Sequence, residues 1–125
     1  MIAVVDDDES MRDAIKGLLR ALGFAVEAFS SAGDFLKSAH LSRTACLVAD
    51  VSMPGMSGPD LYSHLKATGR GIPTILVTAY SDEGLRESAL AAGVISFLSK
   101  PFAKDDLLAS IHSALDRKGE GKRES

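Results

Sequence analysis

The chain has one cysteine, Cys46, so it can form no internal disulfide. It has no surplus of positive charge, since 14 lysines and arginines against 17 aspartates and glutamates leave a net charge of −3. A protein that grips a phosphate backbone usually carries a basic face, so direct binding to nucleic acid is not expected. No apolar run approaches the roughly 18 to 20 residues that a membrane span requires. The N-terminal MIAVVDDDES sets acids where a secretory signal would carry basic residues ahead of a longer apolar stretch. Internal repeats and low-complexity stretches are lacking within the body of the chain. These absences point to a cytoplasmic protein with neither membrane nor nucleic acid as a direct partner. What is present is an ordinary globular composition, 46% hydrophobic and 25% charged over 125 residues. That is enough for about one domain that folds without disulfides or metal.

The apolar pattern changes period repeatedly along the chain. Ile2 to Val5 is a short β-branched run, and Met11, Ala14, Ile15, Leu18, Leu19 and Leu22 then recur at helical spacing until Gly23 supplies a stop. Phe24 to Phe29 reads as a second strand, followed by a short helix holding Phe35 and Leu36 with Ser30 or Ser31 as its cap. Ala45 to Ala49 reads as a buried third strand ending at Asp50, and the turn-forming SMPGMSG (52–58) leads into a helix with Leu61, Leu65 and Tyr62 facing inward. Ile72 to Thr78, a helix from about Asp82 to Ala92 stopped by Gly93, Val94 to Leu98, and a last helix marked by Leu107, Leu108, Ile111 and Leu115 complete the order. Alternating strands and helices require right-handed crossovers, hence a parallel sheet covered on both faces. The expected fold is a doubly wound, flavodoxin-like α/β domain of three layers, with five strands in the order 2-1-3-4-5 and five helices. It spans residues 1–117, and the polar KGEGKRES leaves 118–125 as a flexible tail or linker remnant.

Such sheets bind ligands at the carboxyl ends of their strands, beside the point where strand order reverses. There the sequence places Asp6, Asp7 and Asp8 after the first strand, Asp50 after the third, Thr78 after the fourth and Lys100 after the fifth. Any one of these reads equally as an ordinary loop residue, but with the first and third strands adjacent, Asp6, Asp7 and Asp50 converge. Two such charges about 4 Å apart repel by on the order of 4 kcal/mol at an effective dielectric near 20. A bound cation offsets this, and hard carboxylate oxygens without histidine or cysteine suit Mg²⁺. Lys100 and Thr78 stand where they would hold phosphoryl oxygens on Asp50, and a carboxylate that attacks phosphorus forms an aspartyl-phosphate. His40, His64 and His112 show no ligand spacing, and Cys46 reads as a small buried hydrophobe.

VVDDDES, LVADVSMPGMSG, ILVTAY and GVISFLSKPF together make residues 1–117 resemble the receiver domain of two-component response regulators, most of all those attached to helix-turn-helix transcriptional regulators. The resemblance implies that Asp50 accepts a phosphoryl group from a sensor histidine kinase, with Asp6 and Asp7 as acidic partners. It further implies that Asp7, Asp50 and the Ser52 backbone carbonyl bind Mg²⁺, that Lys100 contacts the phosphoryl group, and that Lys100–Pro101 is a cis bond. Thr78 and Phe97 would form the switch pair, the Phe97 ring turning inward once Thr78 moves; taken alone, Phe97 reads as well as a core aromatic. Pro54, Gly58 and Pro101 would shape the loops. By the same resemblance, Ser52 and Tyr80 would stand where a side chain admits or blocks attacking water and so sets the phosphoryl lifetime. The kinase would dock on the first helix near Met11 and Ile15. An output domain or a second copy would use the fourth helix, fifth strand and fifth helix.

Three other readings compete with this phosphoryl-accepting switch, which is a regulator with slow self-hydrolysis rather than an enzyme. A haloacid-dehalogenase-like phosphohydrolase needs a second acid two residues after its nucleophile, where Ser52 stands. A nucleotide- or flavin-binding module needs a Gly/Ser/Thr-rich phosphate cradle after the first strand, where the acids stand. A pseudo-receiver that only docks stays possible, although the acids, threonine and lysine are all in place.

Overall fold

The computed structural model describes residues 1–80 and 82–124, with side chains to residue 116. β1 (Ile2–Val5), β2 (Val26–Phe29), β3 (Cys46–Asp50), β4 (Thr74–Thr78) and β5 (Ser96–Ser99) form one parallel sheet in the order β2-β1-β3-β4-β5. Between them run α1 (Glu9–Ala21), α2 (Ala32–Lys37), α3 (Gly58–Ala67) and α4 (Glu83–Ala92), α5 (Lys104–Glu124) follows β5, and a 3₁₀ turn lies at Leu41–Arg43. The expected polar tail at 118–125 falls beyond the described side chains. No described helix is long and apolar enough to cross a membrane.

Alternation along the strands splits the core in two. Ala3, Val5, Leu47, Ala49 and Leu76 point toward Phe35 of α2, Leu61 and Leu65 of α3, and Ala89 of α4. Ile2, Val4, Cys46, Val48, Ile75 and Val77 face the other way, onto Ile15 and Leu19 of α1 and Leu107, Ile111 and Ala114 of α5. The middle strands are buried on both faces, which is why they read as unbroken apolar runs. Side-chain caps start the helices: Asp8 for α1, Ser31 for α2, Ser57 for α3 and Asp82 for α4.

The strands begin later than their apolar runs. Phe24 and Val94 donate their backbone N–H groups to Leu19 and Ala89 at 3.0 and 3.1 Å, closing the ends of α1 and α4 around Gly23 and Gly93. Ile72 lies ahead of Pro73, which has no N–H to give the ladder. The register sets Val5 beside Ala49 and Phe29, Asp50 beside Val77, and Thr78 beside Ser99. Asp6, Asp50, Thr78 and Lys100 therefore come out at one rim of the sheet.

Candidate functional site

Three carboxylates meet at this rim. One ligand oxygen from each of Asp6, Asp7 and Asp50 lies within 4.8 Å of the other two. Asp6 is almost wholly buried, at 1% exposure, because β1 delivers it beneath the loop, whereas Asp7 faces solvent. Asp6 Oδ1 accepts the Asp8 N–H at 2.9 Å, and Asp6 Oδ2 accepts Lys100 Nζ at 3.1 Å. The same ammonium stands 3.6 Å from Asp50 Oδ2. Lys100 keeps only 13% of its side chain exposed, so one cation serves two buried carboxylates. Its bond to Pro101 is cis. Arg12 of α1 donates to the Asp6 backbone carbonyl at 2.8 Å. The sequence motifs do not single out Arg12, although helical phase puts it one turn from the Asp8 cap.

The Asp50 carboxyl is pushed above the usual carboxylate range. Burial is the main cause and the charge of Asp6 the next, while Lys100 and the Ser52 backbone N–H pull it back down. A carboxyl raised in the folded chain opposes folding once pH passes above the ordinary carboxylate range, and the opposition disappears on acidification. With a chelator present, Asp50→Asn is therefore expected to raise the melting temperature at neutral pH, by about 4 °C for each kcal/mol relieved in a domain of this size. The gain should vanish below about pH 3, where the wild-type carboxyl is protonated in both states. Thermal unfolding at the two pH values checks this, and equal midpoints at neutral pH would contradict it.

Thr78 is buried, and its hydroxyl is engaged away from the acids: it donates to the Tyr80 carbonyl at 3.0 Å and accepts the Tyr80 N–H at 3.1 Å. Phe97 is 6% exposed and packs in the cluster that contains Leu76, Ala89 and Val94. The inward position expected of this ring after switching is the one it already holds. Gly58 has no room for a side chain, because a Cβ there would collide with the Asp50 carbonyl oxygen and lie 2.9 Å from Leu76 Cδ2. Ser52, Pro54 and Pro101 are exposed beside the site. Three carboxylates with no histidine or cysteine in the group fit a hard divalent cation such as Mg²⁺ better than zinc or copper.

Residues 2–112 match the family model described as the response regulator receiver domain. The response regulator TodT of Pseudomonas putida is 40% identical over 115 residues, which cover 92% of this chain and 51% of that protein. The transcriptional regulatory protein FixJ of Bradyrhizobium diazoefficiens is 40% identical over 114 residues, covering 91% and 56%. The chain thus spans about half the length of the curated relatives it matches. Among solved structures, the response regulator StyR superposes with a TM-score of 0.89 at 42% identity, covering 98% of this chain and 62% of that one. The crystal structure of FixJ-N superposes at 0.82 and 33% identity, covering 92% of both chains. The acid-lined rim, the strand order and the matched sequence agree, and the chain belongs to the response regulator receiver domains of two-component systems.

Proposed function

We propose that Asp50 takes a phosphoryl group from a phosphohistidine of a sensor kinase, and that the modified domain then acts as a switch on an output partner. The observation that carries this reading is the placement of Lys100 Nζ between Asp6 and Asp50, at 3.1 and 3.6 Å, above a trio of converging carboxylates. An Asp50 carboxylate oxygen attacks phosphorus and forms the new O–P bond as the N–P bond breaks. The imidazole leaves with the electron pair. Lys100 is placed to swing from Asp50 Oδ2 to a transferred oxygen and hold its negative charge. Asp7, Asp50 and the Ser52 carbonyl would hold Mg²⁺, with Asp6 beside them, and the bound ion supplies positive charge to offset that of the transferred oxygens.

Thr78 is the mobile donor in this reading. Once acceptor oxygens stand on Asp50, its hydroxyl trades the Tyr80 carbonyl for one of them, which frees the loop that leads into α4. Phe97 then adjusts inside the cluster under α4, and the surface of α4, β5 and α5 changes for an output domain or a second copy. Tyr80, 78% exposed, and Leu90 offer apolar area beside that surface. The kinase would meet the outer face of α1 beside Met11; Ile15, expected to share that contact, is 3% exposed and packs in the core instead. The domain would work in the cytoplasm as a regulator rather than an enzyme.

The test is incubation with a small-molecule phosphodonor, read by intact mass. One phosphoryl mass should appear with Mg²⁺ and fall at least about tenfold when the metal is chelated. Equal uptake with and without chelator would contradict the reading.

A further inference from the structure

Asp6 lies at the point where β1 stops pairing. Its N–H still donates to Phe29 O at 3.1 Å, but its carbonyl turns instead to the Arg12 guanidinium, at 2.8 Å. That carbonyl belongs to the planar peptide joining Asp6 to Asp7, so its orientation sets the direction in which Asp7 leaves the backbone. The two acids are held very differently. The Asp6 carboxylate has the Asp8 N–H and Lys100 as partners, whereas the Asp7 carboxylate is exposed and makes no hydrogen bond among the described residues. Arg12 is itself well placed, because its N–H bonds to Asp8 O at 2.9 Å and Asp8 caps the same helix. Helical side chains lean toward the N-terminus, which brings the planar guanidinium back over the acidic loop.

We infer that Arg12 is a positioning residue for the divalent-cation site: by gripping the Asp6–Asp7 peptide it keeps the Asp7 carboxylate in reach of Asp50. The inference rests on the reading of these carboxylates as metal ligands. A group that acts only through its charge would have the opposite effect, since a guanidinium near the acids repels a cation and its removal would tighten binding. The sign of the change therefore separates the two roles. Loss of a residue that orients a metal ligand typically weakens metal binding by 10- to 100-fold. Arg12 is partly exposed, which places it at the low end, about tenfold.

The test is a Mg²⁺ titration of the unphosphorylated chain, followed by calorimetry and by the Asp7 amide resonance, for wild type, Arg12→Met and Arg12→Lys. The methionine variant should bind Mg²⁺ about tenfold more weakly. The lysine variant, which keeps one donor without the planar fork, should lose about threefold. Unchanged or tighter binding by the methionine variant overturns the inference. So does a fall in melting temperature with unchanged Mg²⁺ affinity, the mark of a purely structural role. Should the methionine variant fail to fold, unchanged affinity in the lysine variant overturns it instead. A wild-type chain that takes up no Mg²⁺ overturns the metal reading itself, whereas wild-type binding matched by the methionine variant overturns only the role of Arg12.

Discussion

Asp50→Asn is expected to take up phosphoryl groups at least about a thousandfold more slowly than wild type, the scale of loss seen when a nucleophile is removed from a group of residues that act together. An amide oxygen lacks the charge that attacks phosphorus, and no neighbour is placed to replace it. Asp6 is buried with one oxygen on the Asp8 N–H and the other on Lys100. Asp7 faces solvent with no cation paired to it among the described residues. Asn fills the same space as Asp, and the raised carboxyl pKa says that removing this charge relieves the fold, so the loss would not reflect unfolding. Intact mass after exposure to a phosphodonor and Mg²⁺ checks the outcome. Uptake near the wild-type rate would mean that another residue is the acceptor.

Lys100→Met is expected to cause the largest loss of stability among single changes at the rim. The ammonium stands 3.1 Å from Asp6 and 3.6 Å from Asp50, with 13% of the lysine side chain exposed and 1% and 11% of the acids. Methionine keeps most of the stem but leaves two buried carboxylates facing each other without a cation. Breaking a buried pair by removing one partner costs 3–5 kcal/mol, and since one carboxyl can escape by taking a proton, about 3 kcal/mol is expected. That is about 12 °C in melting temperature for a domain of this size. Mg²⁺ stabilises wild type too, so the loss narrows only as far as the variant, freed of the competing ammonium, binds the ion more tightly; a tenfold lower Kd recovers about 1.4 kcal/mol at saturating metal. Thermal unfolding with chelator and with Mg²⁺ tests this. A loss below 1 kcal/mol with chelator, or an equal loss in both conditions, would contradict the account.

The rim was legible in the sequence because a parallel sheet carries its strand ends to a common edge. Once Ile2–Val5, Ala45–Ala49, Ile72–Thr78 and Val94–Leu98 read as strands, Asp6, Asp50, Thr78 and Lys100 had to come out together whatever the detail of their loops. Strand starts were less legible, since Phe24 and Val94 are apolar and β-compatible yet spend their N–H groups closing the helices before them. Sequence pattern records which residues prefer the interior. It does not record which hydrogen-bond partner a group chooses.

That limit explains the remaining differences. Thr78 arrives at the rim as expected, but whether its hydroxyl faces Asp50 or Tyr80 depends on a rotamer and a loop turn that spacing does not encode. Phe97 is legible as either core or switch because both roles need an apolar ring at the same strand position, and only packing places it inside. Arg12 was hidden for a related reason. A charged residue on the exposed side of an amphipathic helix normally needs no explanation, and its bond is to a backbone carbonyl, which no motif records.

Everything downstream of phosphoryl transfer requires an Asp50 oxygen in the new bond to phosphorus. Reduction of the phosphorylated chain with borohydride converts an acyl phosphate to an alcohol and marks the side chain that carried it, and peptide mapping then locates the mark. The mark is expected at Asp50 alone, in Mg²⁺ and not in chelator. A mark on Asp6, Asp7 or any other carboxylate, or a phosphoryl group that survives borohydride on a histidine, serine or threonine, would contradict it.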